Sequence, residues 1–281
     1  MKYSICFLIC LQILLHSTIG FRFKQNNKIV CRNEITGQEL DWYTLYKLPK
    51  LHSHSIDLVN NGTAYVFMTN EKQNWFLSTL SINSTQSFPA KTLEPLYNDK
   101  INNNTDIGYI LYSDQADEVT FIKGHAKGVI LFDENTAVWI VHSIPHYPPK
   151  KSDQEYFIRP PQCYFGQSML CMSYSFDQLE LIGQQLLFTY PQVYDYYIPD
   201  KFKYSKSYSK VLSNLMRVIN NEHVEQEPWY SSQKLTTLGG EEMISFSKYT
   251  EFEDDLYSGL VAPSLKSSLL TETWVIINYE I

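Results

Sequence analysis

The chain has 281 residues, of which 44% are hydrophobic and 15% aromatic, so a folded core is expected and a disordered chain is excluded. It carries 23 Lys and Arg against 30 Asp and Glu, a formal net charge of −7 at pH 7 with neutral histidines. This balance argues against a protein that binds polyanions through its overall charge at neutral pH.

The amino-terminal residues 1–20 have the composition of a secretory signal peptide. Lys2 gives a positive start, and the run from Ile5 to Leu15 is almost wholly apolar and leads to small residues suited to cleavage. The run is too short to span a bilayer with ease, and no later stretch reaches the length of a membrane helix. The sequence predicts a secreted or luminal protein whose mature chain begins near Phe21.

Removal of this signal leaves 22 basic against 30 acidic residues, a net charge of −8. In an acidic compartment the six mature histidines would take up protons and bring the balance to about −2 before any carboxylate titrates. A polyanionic substrate would then be repelled far less. The charge therefore permits a nucleic-acid ligand at acidic pH without pointing to one.

Sequons and cysteines fit the same compartment. Three Asn-x-Ser/Thr triplets are acceptors for N-linked glycans in secretory proteins, and their asparagines are Asn61, Asn83 and Asn103. The cysteines that remain after signal removal are Cys31, Cys163 and Cys171. An odd number of cysteines in an oxidising compartment predicts one disulfide and one unpaired thiol.

The predicted elements begin with strands. Short apolar runs in 63–80 indicate two strands joined by a polar turn at 69–74. Residues 81–105 are rich in Asn, Ser and Thr and are predicted to form a surface segment. The stretch from Gly108 to Ser113 indicates a third strand.

Two continuous apolar runs follow, Gly128-Val-Ile-Leu-Phe and Ala137-Val-Trp-Ile-Val, on either side of a short polar turn at 133–136. This pattern is typical of a buried hairpin. Because apolarity is continuous rather than alternating, both faces of these strands should be covered, with helices lying on the sheet.

Helices are predicted in the second half of the chain. One runs over 176–189, with Ser175 and Gln178 as a capping box and Pro191 at its end, and another runs over 211–219. The mixture of buried strands and helices indicates an α/β fold.

The candidate nucleophile is His125, which stands in Gly124-His-Ala-Lys127 just before the buried hairpin. Residues two apart on a strand point the same way, so His125 and Lys127 should project together. A histidine that attacks phosphorus forms a phosphoenzyme, and a neighbouring lysine can offset the developing charge. By itself the triplet is better explained by two solvated polar residues at the start of a strand.

Other histidines could suggest a metal. His142 and His146 are four apart, but three prolines within 145–149 argue against the helix that a zinc site of this spacing uses. His52 and His54 have no Cys or acidic partner at ligand spacing. No metal or other cofactor is predicted.

A tyrosine-rich stretch follows the first predicted helix. Its aromatic rings could stack on nucleic-acid bases, although packing within a tyrosine-rich protein accounts for them better. The tyrosines are Tyr190, Tyr194, Tyr196 and Tyr197.

Several segments in order along the chain resemble the deoxyribonuclease II family. The first four are Asp41-Trp-Tyr-Thr-Leu-Tyr-Lys-Leu-Pro, Ile110-Leu-Tyr-Ser-Asp-Gln, Gly124-His-Ala-Lys-Gly-Val and Trp139-Ile-Val-His-Ser-Ile-Pro. Tyr164-Phe-Gly-Gln-Ser-Met-Leu-Cys, Tyr190-Pro-Gln-Val-Tyr-Asp-Tyr, Gln226-Glu-Pro-Trp and Asp254-Asp-Leu-Tyr-Ser-Gly follow in the family's order. The resemblance covers almost all of the mature chain.

This resemblance implies a phospholipase D-like, pseudo-dimeric fold in which each half gives one His-x-Lys motif to a shared site. It also implies metal-independent hydrolysis of DNA at acidic pH through a phosphohistidine, leaving 3′-phosphate ends, in lysosomes or outside the cell. His125 and Lys127 correspond to the first motif, and His142 corresponds to another histidine important for activity. By the same comparison Cys31 pairs with Cys171 and leaves Cys163 free.

The sequence departs from the family pattern in two places. The Asp that follows the Lys at a fixed interval in phospholipase D-like proteins has its nearest counterpart in Asp133, which falls one residue late and receives no role. Only His125 among the histidines is followed two residues later by Lys. The expected division is therefore a first half at 21–175 and, at 176–281, a second half that is incomplete and lacks its motif.

Three hypotheses follow. A working endonuclease would need His125 from two chains in one site, but the retained part of the second half would occupy the partner's place, so a homodimer is not favoured. The alternative is an inactive secreted family member that binds DNA weakly, or an incomplete gene model. The third is a structural glycoprotein with no nucleic-acid role.

Overall fold

The computed structural model describes residues 28–98, 106–116 and 122–271. The predicted signal peptide at 1–20 and the sequon at Asn103 lie outside the described residues. The strands are β1 (Cys31–Arg32), β2 (Glu39–Leu40), β3 (Trp42–Lys47), β4 (Tyr65–Thr69), β5 (Phe76–Leu77), β6 (Gly108–Ser113), β7 (Lys127–Phe132), β8 (Thr136–His142), β9 (Gln167–Ser175), β10 (Val193–Tyr197), β11 (Tyr230–Thr236) and β12 (Glu242–Lys248).

Helices occupy the connections between these strands. They are α1 (Asp57–Asn60), α2 (Phe88–Tyr97), α3 (Leu179–Thr189), α4 (Asp200–Tyr204), α5 (Lys206–Val211), α6 (Ser213–Ile219) and α7 (Ala262–Leu265), with a π-helical segment at Leu256–Val261. Short 3-10 turns cover Lys151–Asp153, Pro160–Cys163, Phe176–Gln178 and Thr250–Phe252. Within the described residues, no helix combines the length and apolarity that crossing a bilayer requires.

The fold is a mixture of helices and strands built on one large sheet of eight strands in the order β10-β6-β7-β8-β9-β3-β4-β5. Every pairing in this sheet is antiparallel. The strands predicted in 63–80 are β4 and β5, and the predicted hairpin is β7 and β8, with Phe132 opposite Ala137. These predictions are confirmed, as is the strand predicted from Gly108 to Ser113.

Both faces of the sheet are covered, as the continuous apolar runs indicated. On one face, alternate β8 residues such as Val138 and Ile140 pack with the helix α2. On the other face, Trp139 packs with α3, α6 and residues of the β11–β12 hairpin. The central strands are therefore buried on both sides, which explains why their sequences do not alternate.

The prediction of a surface segment over residues 81–105 was wrong for its middle part. Residues 88–97 form the helix α2, whose Phe88, Leu93 and Leu96 are buried in the core. The Ser87 side chain accepts from the backbone of Ala90 and caps the helix. Two prolines conceal this helix in the sequence, but one lies in its first turn, where the missing N–H costs no hydrogen bond.

The helix predicted over 176–189 is present, but it begins as a 3-10 turn and becomes α-helical at Leu179. The Ser175 side chain makes no capping hydrogen bond, so the predicted capping box is wrong. Helix α3 ends at Tyr190, which adopts a left-handed conformation with φ 47°. The helix predicted over 211–219 is two short helices, α5 and α6, which meet at Leu212.

A disulfide joins Cys31 to Cys171, the pairing that the resemblance implied, and Cys163 is a buried free thiol. The disulfide links β1 covalently to the central strand β9. Of the predicted glycan acceptors, Asn61 and Asn83 are exposed. The Asn83 amide donates to the carbonyl oxygen of Ile158 at 3.2 Å, so this acceptor is held in a fixed position.

Candidate active site

The loop that carries His125 is held against the end of helix α3. The Gly124 N–H donates to the carbonyl oxygen of Tyr190 at 3.1 Å. A Cβ atom at Gly124 would lie 1.8 Å from the carbonyl oxygen of Thr189, so any larger residue would displace the loop. Glycine is therefore required here to bring the backbone of His125 close to the helix end.

The sheet brings three ionisable side chains together at the ends of β6 and β7. Ser113, the last residue of β6, lies opposite Lys127, the first residue of β7. Asp114 leaves one strand where His125 and Lys127 enter the other. The Nδ1 atom of His125 lies 2.6 Å from Oδ2 of Asp114, and Lys127 Nζ donates to Oδ1 of Asp114 at 2.8 Å. His125 and Lys127 thus converge on one carboxylate.

The three side chains differ sharply in exposure. The His125 side chain is 77% exposed, whereas those of Lys127 and Asp114 are 2% and 7% exposed. A buried carboxylate paired with a buried ammonium accepts hydrogen bonds. His125 Nδ1 therefore carries the proton and donates a hydrogen bond to Asp114. The other ring nitrogen, Nε2, is then left with the lone pair in the neutral ring.

His125 opens into a cleft of about 650 Å³. Its walls come from the loop at 122–126, the end of α3 at 188–190, and the segment 246–250 with Leu256. The lining residues include Lys123, His125 and Lys248, and among those that the structure describes none is Asp or Glu. The cleft is therefore locally basic although the chain as a whole is acidic.

Aromatic rings form one wall of this cleft. Tyr190 and Tyr249 line it, with ring centroids 6.1 Å apart. His223 stacks on Tyr249 at 4.8 Å with an interplanar angle of 14°. The Lys123 ammonium lies 3.3 Å from the ring centroid of Tyr190 and donates to the side chain of Asn221. Lysine and aromatic side chains thus lie together in this cleft.

His142 is placed differently from the exposed His125. It follows Val141, which pairs with Gly128, so it neighbours Lys127 across the β7–β8 ladder. Its ring is buried edge-on against Tyr147, at a centroid distance of 5.1 Å. Burial, followed by the positive charge of Lys127, lowers the pKa of His142 to about 3. The ring is therefore neutral throughout the acidic range in which lysosomal enzymes work.

The other histidines considered for a metal do not assemble a site. His146 donates from Nδ1 to the carbonyl oxygen of Ala116, and His54 Nδ1 accepts from the N–H of Ile56. Across residues 28–98, 106–116 and 122–271, no group of three or more His, Cys, Asp and Glu side chains has the arrangement of a metal site.

Asp133, which received no role from the sequence, serves the turn between β7 and β8. Its Oδ1 atom accepts from the backbone N–H groups of Asn135 and Thr136 at 2.8 and 2.7 Å. The carboxylate next to the candidate nucleophile is instead Asp114.

The four tyrosines of the stretch 190–197 do not share one environment. Tyr190 lines the cleft, whereas the Tyr194 hydroxyl donates to the carbonyl oxygen of Pro148 at 2.6 Å. Tyr196 and Tyr197 are exposed on the edge strand β10. Of these rings, only that of Tyr190 is placed near His125.

Sequence reasoning missed Asp114, Lys248 and Tyr249. For Asp114 a signal was present, since it directly follows a predicted strand and His125 directly precedes another. Pairing the two as antiparallel neighbours would have placed both residues at one edge. No such signal exists for Lys248 and Tyr249, which are more than 120 positions from His125 along the chain.

Comparison with known proteins identifies the family. The family model described as Deoxyribonuclease II matches residues 30–278. Deoxyribonuclease-2-alpha of Mus musculus is 38% identical over 244 residues, which are 85% of this chain and 66% of the relative. Cell death-related nuclease 6 of Caenorhabditis elegans is 35% identical over 267 residues, 93% of this chain and 66% of the relative. Plancitoxin-1 of Acanthaster planci is 32% identical over 239 residues, 84% and 64% of the two chains.

The chain thus spans about two thirds of the length of these relatives. The match to the family model extends over nearly all of the described residues and includes His125, Lys127 and Asp114. With the similarity to these relatives, it shows that this chain belongs to the deoxyribonuclease II family.

Proposed function

We propose that the chain provides the nucleophilic half of an acid deoxyribonuclease site that hydrolyses DNA phosphodiesters. The observation that carries this proposal is the pairing of exposed His125 with buried Asp114 at the mouth of a basic cleft. Two of these relatives are named as a deoxyribonuclease and a nuclease, which supports DNA as the substrate. We place this function in a lysosome or outside the cell. The lysosome would supply the acidic pH, and both locations are reached by the secretory route that the predicted signal peptide indicates.

In the first step, Nε2 of His125 would attack phosphorus because Asp114 keeps the proton on Nδ1. A nitrogen–phosphorus bond forms as the bond from phosphorus to the 5′ oxygen breaks, and the 5′ oxygen takes a proton from a second imidazole. In the second step, water attacks phosphorus, the nitrogen–phosphorus bond breaks, and the second imidazole accepts a proton from the water. The products are a 3′-phosphate and a 5′-hydroxyl, and His125 is regenerated.

Lys127 would act mainly through Asp114 in this arrangement. Its ammonium is buried and bound to the carboxylate, so it holds Asp114 in place, and Asp114 keeps His125 in the attacking tautomer. The role first considered for Lys127, direct contact with the phosphate, would require its side chain to leave Asp114. His142 is neutral and buried beside Lys127, which suits a positioning role better than proton donation.

The mechanism needs a second imidazole, and the sequence does not identify the residue that provides it. The resemblance implies a second His-x-Lys motif in a pseudo-dimeric fold divided near 175, and the 281-residue sequence contains one such motif. We therefore expect weak DNA cleavage from this sequence alone and strong cleavage from a longer form that carries a second motif. The alternative is a family member that binds DNA without cutting it.

The test compares both forms on supercoiled plasmid at pH 5 in the presence of a chelator, each with a matched His125→Ala variant. The proposal expects His125-dependent nicking that leaves 3′-phosphate ends in the longer form. Absence of both cleavage and DNA binding in the longer form would contradict the nuclease assignment. Strong His125-dependent cleavage by the 281-residue form would instead contradict the requirement for a second motif.

A further inference from the structure

A second, smaller cavity is lined by Ala116, two residues after Asp114 in the chain. It has a volume of about 200 Å³, and its lining includes His146, Lys150, Asp153 and Arg159. Three of these four residues carry, or can carry, a positive charge. The mechanism described above uses none of them.

The wall of this cavity is attached to the segment that holds His125. The backbone N–H of His146 donates to the carbonyl oxygen of Gln115 at 3.0 Å, and its Nδ1 donates to the carbonyl oxygen of Ala116. Gln115 and Ala116 directly follow Asp114. Two residues of extended chain span at most about 7 Å, so the cavity begins close to the carboxylate that positions His125.

The chemistry of the lining suits an anion of phosphate size. Because a carbonyl oxygen accepts only, His146 Nδ1 carries a proton, and a second proton on Nε2 makes the ring a donor to an anion. The Arg159 guanidinium offers paired donors that match two phosphate oxygens. Tyr194 is the aromatic residue in the lining, and its hydroxyl is bound to Pro148, so a stacked base is less suited to the space.

We propose that this cavity is a second phosphate subsite, formed by His146, Lys150 and Arg159, for a phosphodiester that flanks the one attacked by His125. The inference rests on the proposed function. One strand of a duplex presents a phosphate about every 3.4 Å along the axis, and the cavity wall is bonded to the two residues that follow Asp114, so the proposal places a flanking phosphate in the cavity while another lies at His125. Such a contact fixes the register of the strand without reading its bases.

The experiment measures binding of a fluorescein-labelled DNA duplex by anisotropy at pH 5 in chelator, over a series of salt concentrations. The variants are Arg159→Ala and Lys150→Ala. The matched control is Lys151→Ala, which removes the same charge one residue away, because the Lys151 ammonium lies over the Tyr109 ring and the residue does not line the cavity. Arg159 is exposed, so its substitution should leave the fold intact.

The subsite predicts about tenfold weaker binding for Arg159→Ala and Lys150→Ala, with a salt slope reduced by about 1 for the lost phosphate contact. Lys151→Ala should keep the wild-type slope. Equal affinities and slopes for all three variants would overturn the subsite.

A second arm titrates inorganic phosphate into the same proteins by calorimetry and does not depend on DNA. The subsite predicts that Arg159→Ala loses a phosphate-binding event that Lys151→Ala retains. If no variant, including wild type, binds DNA, this arm alone decides the cavity, and the proposed function is decided separately by the cleavage comparison with the longer form. Identical phosphate isotherms for wild type and Arg159→Ala would then overturn the subsite as well.

Discussion

Replacement of Asp114 by Asn tests the arrangement on which the candidate site depends. The Asp114 and Lys127 side chains are 7% and 2% exposed, so Asp114→Asn leaves a buried ammonium without its counterion. Removal of one partner from a buried ion pair costs about 3–5 kcal/mol. For a chain of this size, about 2–4 °C of melting temperature is lost per kcal/mol, so Tm should fall by roughly 6–20 °C. The His125 contact adds little to stability because His125 is exposed.

Two measurements separate the structural from the positioning role of Asp114. Thermal unfolding of Asp114→Asn, Lys127→Met and the double variant forms a double-mutant cycle. The double variant should be more stable than Asp114→Asn alone because the unpaired charge is gone. Nitrogen NMR of the His125 ring should show the Nδ1–H tautomer in the wild type and a mixture in Asp114→Asn. A variant that melts within about 2 °C of wild type and retains this tautomer would refute the reasoning.

Three further predictions concern pH, the disulfide and the loop before the nucleophile. Folded His142 has a pKa of about 3 against an ordinary value of 6.5, so the stability that neutral His142 contributes above pH 6.5 is lost as the pH falls towards 3. The loss at pH 5 should be about 2 kcal/mol. His142→Phe should therefore flatten the dependence of Tm on pH between 7 and 4, and parallel profiles for wild type and variant would contradict this. Joint replacement of Cys31 and Cys171 by Ser opens a link across 140 residues and should cost up to about 5 kcal/mol, whereas Cys163→Ser should cost far less, as measured by unfolding and secreted yield. Gly124→Ala should weaken DNA binding about tenfold because its Cβ displaces the loop, and unchanged affinity would show that the loop tolerates the clash.

The part of the fold that the sequence predicted best is the part governed by local apolar runs. β6, β7 and β8 are continuous apolar stretches separated by short polar segments, and each was predicted within about one residue. Helix α2 was missed because Ser, Thr and Pro dominate its surroundings, and burial of Phe88 and Leu93 depends on contacts distant in sequence. The residues of such a helix reveal it only when the sheet that they cover is known.

The residues of the candidate site likewise divide into those that local sequence patterns predict and those that they do not. His125 and Lys127 were found from a triplet and a resemblance, and their direction followed from strand geometry. Asp114 was accessible in principle, since it depends only on which two predicted strands are neighbours. Lys248 and Tyr249 depend on where the β11–β12 hairpin packs relative to α3, which no short-range pattern in the sequence describes.

The acidic composition shows why a net charge is a weak guide to a binding surface. Acidic residues exceed basic ones by seven over the chain, yet the described lining of the cleft holds Lys123, Lys248 and His125 without a carboxylate. Asp114, the carboxylate that contacts His125, is buried and paired with Lys127. Because charges farther apart than about 8–10 Å are screened at physiological salt, a phosphate in the cleft interacts mainly with these nearby cations. The remaining acidic residues then favour solubility and weaken long-range attraction, so DNA binding should depend on the cleft residues far more than on the protein's overall charge.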